Sequence, residues 1–226
     1  MPNCFLAHCC NKKDCDKDFC LRKYKMDSLY SAALMTESQK QHIVLKVDED
    51  GTDLEQFKQL AAIEQDIVNF ISSGKNLYLH SANCGNGKSS WSVRLVEAYF
   101  NKIWARSEAK CRVLFISVPR FLLALKDNIT AKSSYVEYIK DNVFEADLVV
   151  WDDIAAKMGS EFELTHLLNI IDNRLALGKS NIYTSNLNRQ QLYSALGERL
   201  TSRIANMSID IELFGADKRI LKVGDR

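Results

Sequence analysis

One glycine-rich turn constrains this chain more than any other feature of its sequence. The turn reads Ser81-Ala82-Asn83-Cys84-Gly85-Asn86-Gly87-Lys88-Ser89 and lies between a short apolar stretch and a segment with helical spacing of apolar residues. Glycines allow the backbone to turn so that successive N–H groups point inward. A helix beginning at Lys88 adds the positive end of its dipole. The turn therefore predicts a phosphate cradle with contacts from Asn83, Cys84, Gly85, Asn86, Gly87, Lys88, Ser89 and Ser90.

The end of this turn predicts the ligand of the cradle. Lys88 would reach the β and γ phosphates of a nucleotide, and the Ser89 hydroxyl would coordinate magnesium. The usual loop of this kind begins with glycine, whereas this one has Ala82, which the two inner glycines should make tolerable. The alternative is a chance glycine turn before an ordinary helix, but the flanking strand and helix argue against it. We expect a P-loop that binds ATP and Mg²⁺.

A second signal comes from a strand that ends in two acids. Leu148-Val149-Val150-Trp151-Asp152-Asp153 lies 64 residues beyond Lys88 (152 − 88). In P-loop ATPases the first acid holds magnesium, so Asp152 is the predicted ligand, and the second orients or deprotonates the attacking water. Taken alone, such a sequence is usually a solvated turn. Because Asp153 is shorter than the usual glutamate, we expect slow hydrolysis.

The order of predicted elements indicates the fold class. Apolar strands at 76–80, 112–118, 147–151, 180–184 and 208–214 alternate with helices, and one long helix is predicted from Asp53 to about Ser73. Alternation of this kind favours a parallel sheet covered by helices on both faces. With 226 residues and 46% hydrophobic residues, the chain is large enough for one α/β domain and a small appendage.

The later motifs resemble those of a known family. Tyr183-Thr184-Ser185-Asn186, then Gly197-Glu198-Arg199-Leu200-Thr201-Ser202-Arg203, then Gly215-Ala216-Asp217-Lys218-Arg219 follow the two nucleotide motifs in order. This order resembles the AAA+ ATPases of the DnaC/DnaI type, which are bacterial and phage loaders of the replicative helicase related to the IstB transposition helpers. The resemblance covers about residues 55–226. It implies an AAA+ P-loop NTPase with a five-stranded parallel sheet and a reduced lid.

The resemblance also implies roles for three further residues. Asn186 would be the sensor that positions the lytic water, since an amide both donates and accepts hydrogen bonds. Arg203 would be an arginine finger that reaches the nucleotide of a neighbouring subunit, with Arg199 as a competitor for that role. Arg219 would be a second sensor within its own subunit. A finger that acts between subunits implies self-association through the AAA+ domains.

The first 47 residues form a predicted cysteine-rich head. An acidic stretch at 48–54 is the predicted linker to the ATPase domain over 55–226, and so small a head would need a metal to hold it together. Cys4, Cys10, Cys15 and Cys20 are the preferred zinc ligands, with Cys9 or His8 as alternates. Redox-active thiols and an iron–sulfur cluster are the alternatives. By the resemblance, this head would contact the helicase.

Net charge and hydropathy bear on nucleic-acid binding and on the location of the protein. The formal net charge is +1, so any nucleic-acid surface would have to be local. The resemblance also implies contact with single-stranded DNA. Basic and aromatic residues that could line a channel for it occur between the second and third strands, at Arg120, Lys126, Lys132, Tyr135, Tyr138 and Lys140. A solvated helix face is the better explanation for most of them. With no signal peptide and no membrane-spanning run, the expected location is the cytoplasm.

The resulting functional hypothesis is an ATP-dependent loader of a hexameric replicative DNA helicase that also binds single-stranded DNA. An IstB-like ATP-dependent transposase helper is the nearest alternative. A small nucleotide kinase could share the cradle but would need an acceptor pocket and an arginine-rich lid. A non-hydrolysing adaptor switched by ATP also remains open, because of Ala82 and Asp153.

Overall fold

The computed structural model describes residues 4–6, 19–47, 51–107, 110–128, 131–156 and 160–217. Eight α-helices and five strands occur in these ranges, and their order is α1 (Leu21–Ala32), α2 (Leu54–Gln65), α3 (Ile67–Ser72), β1 (Asn76–His80), α4 (Lys88–Ile103), β2 (Val113–Ser117), α5 (Val118–Asp127), α6 (Ser134–Asn142), β3 (Leu148–Asp152), α7 (Glu161–Ala176), β4 (Ser180–Ser185), α8 (Arg189–Thr201) and β5 (Ile209–Glu212). A five-residue π-helical turn, Ser202–Asn206, joins α8 to β5.

The five strands form one parallel sheet in the order β2-β3-β4-β1-β5. This confirms the predicted five-stranded parallel sheet. Residues of β1 are buried along its whole length, as are those of β4, because both strands lie inside the sheet. The carboxyl ends of β1, β3 and β4 therefore meet at one edge of the sheet, beside the glycine-rich turn.

The two faces of the sheet bury separate apolar clusters. On one face, Leu77, Val150 and Ile182 pack with residues from α1 to α4. On the other face, Tyr78, Trp151 and Tyr183 pack with residues from α5 to α8. Alternate residues of each strand thus point to opposite layers, which is the three-layer arrangement expected of a doubly covered parallel sheet.

The second layer contains a fully buried cation. The Arg174 guanidinium on α7 donates to the carbonyl oxygens of Val143, Ala146 and Ser180 and to Asn181 Oδ1. Burial lowers the pKa of Arg174 to about 10. The guanidinium joins the end of α6 to the starts of β3 and β4. It satisfies buried carbonyl oxygens to which no apolar side chain could donate a hydrogen bond.

The described part of the amino-terminal segment packs on the main body. Met26, Leu29 and Tyr30 of α1 are buried in the same cluster as α4, and the Tyr30 and Phe100 rings meet edge to face at 5.2 Å. The Phe115 N–H also donates to Ala33 O at 2.9 Å. Among the described residues, α1 thus shares one apolar cluster with α4 of the main body.

The helix predicted from Asp53 to Ser73 differs from the observed structure. At Asp66 the backbone leaves the helical region (φ −105°, ψ 27°), and α2 and α3 are two helices. Asp53 was predicted to lie in a solvated linker or to cap this helix. Instead it is 6% exposed and its side chain makes no cap hydrogen bond. Among the residues that the structure describes, no helix is long and apolar enough to cross a bilayer.

Candidate nucleotide-binding site

A cavity of about 460 Å³ opens at the carboxyl end of the sheet. The glycine-rich turn supplies most of its lining, and the ends of β3 and β4 supply the rest. The lining residues are Cys84, Gly85, Asn86, Gly87, Lys88, Ser89, Ser90, Asp153 and Asn186. The structure thus brings together residues from three separate sequence motifs that were predicted to share one site.

The conformation of the turn explains its glycines. Gly85 has φ 71°, and Gly87, at the amino terminus of α4, has φ 107°. Side chains are disfavoured at such angles, so glycine is needed at both positions. Ala82 is exposed and does not belong to the described non-glycine residues with positive φ. The alanine at the loop entrance is therefore accommodated without backbone strain.

Lys88 is held inside the loop by its own neighbours. Its ammonium donates to Asn83 O at 2.8 Å and to Asn86 Oδ1 at 3.2 Å, and the residue is only 6% exposed. The Asn86 amide in turn donates to Ser81 Oγ and to Leu213 O. The amine of this cavity-lining residue is therefore held by groups of the glycine-rich turn itself.

Ser89 and Asp152 lie in direct contact. The Ser89 hydroxyl donates to Asp152 Oδ1 at 2.7 Å, and the Thr184 hydroxyl donates to the same oxygen at 2.8 Å. Burial raises the pKa of the Asp152 carboxyl, whereas these two hydrogen bonds lower it. A hydroxyl and a carboxylate side by side next to a phosphate cradle are a fitting pair of oxygen donors for Mg²⁺, which takes few protein ligands.

Asp153 and Asn186 face the same cavity from neighbouring strands. Asp153 has φ 58°, a left-handed conformation, and its N–H donates to Thr184 Oγ1 at 2.9 Å. The next residue, Ile154, donates its N–H to Thr184 O, and its carbonyl accepts from Ser185 Oγ. Hydrogen bonds thus connect the turn after β3 to the end of β4. They fix the position of the Asp153 backbone. Sequence reasoning missed Thr184, although it lies within the quoted motif 183–186.

A carboxy-terminal segment, residues 213–217, lies against the loop. The Asn83 amide donates to Phe214 O and Gly215 O, both at 3.1 Å, so this side chain is engaged outside the cavity. The Asp53 carboxylate accepts the N–H groups of Phe214 and Gly215 at 2.7 and 2.9 Å. The buried acid before α2 therefore anchors the same segment that Asn83 of the glycine-rich turn contacts.

Two of the predicted arginines, Arg203 and Arg199, do not line this cavity. Arg203, in the π-helical turn, donates from Nε to the Asp172 carboxylate of α7. Arg199 is exposed on α8, where it lines a separate hollow between α7 and α8. Arg219 lies outside the described residues. A π-helical turn is a frequent feature of functional positions.

The cysteine head is described only in part. Cys4 is partly buried against the core, and Cys20 precedes α1 without a side-chain cap. His8, Cys9, Cys10 and Cys15 lie outside the described residues. Within the described ranges, no group of three or more His, Cys, Asp or Glu side chains could hold a metal ion. The zinc site, whose remaining ligands are not described, stays a prediction.

The region with basic and aromatic residues contains one close pair. The Arg120 guanidinium of α5 stacks over the Tyr135 ring of α6 at 4.6 Å. Lys126, Lys132 and Lys140 are exposed nearby in sequence, and Lys140 pairs with Glu137 at 3.1 Å. The Tyr138 hydroxyl donates to Ala32 O, so this tyrosine has a structural partner.

Known proteins resemble this chain in sequence and in fold. No protein-family model matches it. The replicative helicase loader DnaC of Escherichia coli K12 is 28% identical over 138 residues, which is 61% of this chain and 50% of DnaC. The chain thus matches half the length of this curated relative.

Solved structures share the architecture. A crystal structure of DnaI matches with a TM-score of 0.59 and 20% identity, over 86% of this chain and 100% of that one. The replication initiator DnaA bound to AMPPCP and single-stranded DNA matches with a TM-score of 0.56 and 21% identity, over 75% of this chain and 48% of that one. Together with the sheet order, these matches show that the chain shares the α/β fold of these proteins, with a five-stranded parallel sheet. In sequence and in fold, the chain resembles the helicase loaders of the DnaC/DnaI type.

Proposed function

We propose that this chain is an ATP-dependent loader of a hexameric replicative DNA helicase that binds the helicase and single-stranded DNA during the initiation of replication. The observation that carries the proposal is the meeting of Lys88, Ser89, Asp153 and Asn186 at one cavity, with Asp152 in contact with Ser89. The similarity to DnaC, which is named a replicative helicase loader, supports helicase loading as the use of this site. The location that goes with this function is the cytoplasm.

ATP binding would use the loop as follows. The backbone N–H groups between Gly85 and Ser90 would hold the phosphates, and Lys88 would exchange Asn83 O and Asn86 Oδ1 for phosphate oxygens. Ser89 and Asp152 would hold Mg²⁺, which neutralises charge on the β and γ phosphates. The similar DnaA structure is bound to AMPPCP, which supports a nucleotide as the ligand of this chain.

Hydrolysis would depend on two residues of this subunit and one of the next. Asp153 would orient or deprotonate the attacking water, and Asn186 would position it against the γ phosphate. Arg203 would complete the site of a neighbouring subunit, which requires the AAA+ domains to self-associate. Because Asp153 is one methylene shorter than glutamate, turnover should be slow and should rise when DNA or the helicase is bound.

Nucleotide binding is tested with a fluorescent ATP analogue. The wild type should bind it with Mg²⁺, and Lys88→Ala should weaken binding at least tenfold, because the loop loses its only side-chain cation among the described lining residues. Lys126→Ala, an exposed lysine on α5, is the matched control and should bind like the wild type. Equal binding by Lys88→Ala and the wild type would refute the nucleotide site.

The partner is tested by capture from a host lysate on the tagged chain with ATP and Mg²⁺, read by mass spectrometry. Recovery of the replicative helicase supports the loader. Recovery of a transposase instead would move the chain to the IstB-like helpers. Recovery of neither would refute both the loader and the transposase-helper functions and would leave only the proposed ATP binding. A truncation of residues 1–20 tests the head while it keeps α1, whose Met26, Leu29 and Tyr30 belong to the core.

The zinc proposal concerns Cys4, Cys10, Cys15 and Cys20, with Cys9 or His8 as alternates. Purified chain should contain about one zinc per molecule by elemental analysis, since four thiolates or three with a histidine complete a tetrahedral site. Cys10→Ser together with Cys15→Ser should remove it. Cys111→Ser is the control, because Cys111 lies far along the chain and its thiol lies against Ala32 O and Val113 O. A metal-free wild type would refute the zinc site.

Single-stranded DNA binding is proposed at the Arg120–Tyr135 stack. Arginine and aromatic faces are the groups on which unpaired bases stack. Arg120→Ala should weaken binding to a labelled oligonucleotide more than Lys58→Ala, whose exposed lysine on α2 pairs with Glu55. Equal effects of the two substitutions would place the DNA elsewhere.

A further inference from the structure

The Thr184 side chain links the two acids of the candidate site. Thr184 is fully buried at the end of β4, next to the carboxyl end of β3. Its hydroxyl donates to Asp152 Oδ1 at 2.8 Å and accepts the N–H of Asp153 at 2.9 Å. One hydroxyl therefore contacts both residues that were predicted to handle the metal and the lytic water.

These two bonds fix the direction of the hydroxyl. A threonine hydroxyl has a single proton to donate, and here that proton points at Asp152. The accepted N–H belongs to a residue in left-handed conformation, φ 58°, which needs support from its surroundings. Because Thr184 is β-branched and buried, its rotamer is restricted as well. The hydroxyl is held as a fixed bridge between the two acids.

The bond from Thr184 to Asp152 matters most, because Ser89 donates to the same carboxylate oxygen. Asp152 Oδ1 accepts from both Ser89 and Thr184. If Ser89 turns its oxygen to a metal, Thr184 is the remaining hydroxyl on Asp152 in the described site. Partners of this kind orient a metal-binding carboxylate, and their loss typically lowers metal affinity or activity by about 10–100-fold.

We propose that Thr184 is a positioning residue that orients Asp152 toward the metal and holds the Asp153 turn in place for the attacking water. This inference rests on the proposed nucleotide function of the same cavity. It differs from the sensor role proposed for Asn186, because Thr184 contacts the acids and does not line the cavity among the described residues.

The test compares Thr184→Val, which keeps the shape and removes the hydroxyl, with Thr184→Ser, which restores a hydroxyl. Thr201→Val is the matched control, because Thr201 is also buried and its hydroxyl has no partner among the described residues. Fluorescent-nucleotide affinity is measured across a Mg²⁺ titration and again in EDTA, and ATP turnover is measured separately. If Thr184→Val does not fold by circular dichroism, Thr184→Ala takes its place.

Thr184→Val should raise the Mg²⁺ concentration for half-maximal binding by about tenfold and lower kcat by at least as much. Its nucleotide affinity in EDTA should equal that of the wild type, and Thr184→Ser should stay within about threefold of the wild type in every readout. A Thr184→Val protein that titrates like Thr201→Val would overturn the positioning role and leave the nucleotide site intact. Equal defects in Thr184→Val and Thr184→Ser would overturn it too. A wild type that shows no Mg²⁺-dependent binding would overturn both this role and the proposed function.

Discussion

Replacement of Arg174 by methionine should destabilise the fold by an amount that the contacts define. Methionine fills similar space and has no donor, so the carbonyls of Val143, Ala146 and Ser180 each lose a bond from a charged group. Asn181 Oδ1 keeps its second donor, Trp151 Nε1, at 3.1 Å. Each buried acceptor left without a donor costs about 1–3 kcal/mol, so three acceptors give about 3 kcal/mol at the low end. That is a large share of the roughly 5–15 kcal/mol that stabilises a typical domain.

The assay is urea unfolding followed by circular dichroism, with the slope against urea compared between variants. Arg174→Lys should lie between methionine and the wild type, because an ammonium keeps the charge but lacks the planar fork that reaches carbonyls on both sides. Arg189→Met, an exposed arginine at the start of α8, is the control and should change the unfolding free energy by no more than about 0.5 kcal/mol. A loss below about 1 kcal/mol for Arg174→Met would refute the reasoning.

Three further predictions concern Asp53, Tyr99 and Arg203. Asp53→Ala should cost about 2–4 kcal/mol and speed hydrogen exchange at the two backbone amides that its carboxylate accepts, whereas exposed Glu55→Ala should do neither. Tyr99 donates to a carboxylate and its pKa is raised to about 12, mainly by burial, so the neutral phenol is the stabilising form. Tyr99→Phe should therefore cost about 1 kcal/mol at pH 7, and this difference should disappear as the pH rises from about 10 through 12. Arg203→Ala should lower ATP turnover about 10³-fold with nucleotide affinity unchanged, and a larger loss with Arg199→Ala would assign the finger to the competing residue.

The parts of the molecule with local sequence signals could be predicted. The glycine turn, the acids after β3 and the alternation of strands and helices each depend on residues close together in the chain. Four of the five strands were placed to within one residue at each end, and β5 to within two. Because carboxyl ends of parallel strands meet at one edge, motifs far apart in sequence could also be assigned to one site.

Long-range hydrogen bonds could not be predicted in the same way. Asp53 lies in an acidic stretch that reads as a solvated linker, yet its partners are 161 and 162 residues away. By sequence, Thr184 is an ordinary β-strand residue. An arginine in the last turn of a helix, such as Arg174, is usually exposed. Their burial depends on which loops the sheet order brings together. The break between α2 and α3 has no glycine or proline to mark it.

The central claim, helicase loading, is tested most directly on a closed circle of single-stranded DNA with an annealed oligonucleotide. A closed ring of helicase cannot thread onto such a circle unless it is opened. With the purified replicative helicase of the host, ATP and Mg²⁺, the wild-type chain should produce strand displacement that the helicase alone does not, and Lys88→Ala should not. Displacement that is the same with and without the chain, and no complex between the chain and the helicase, would contradict the account.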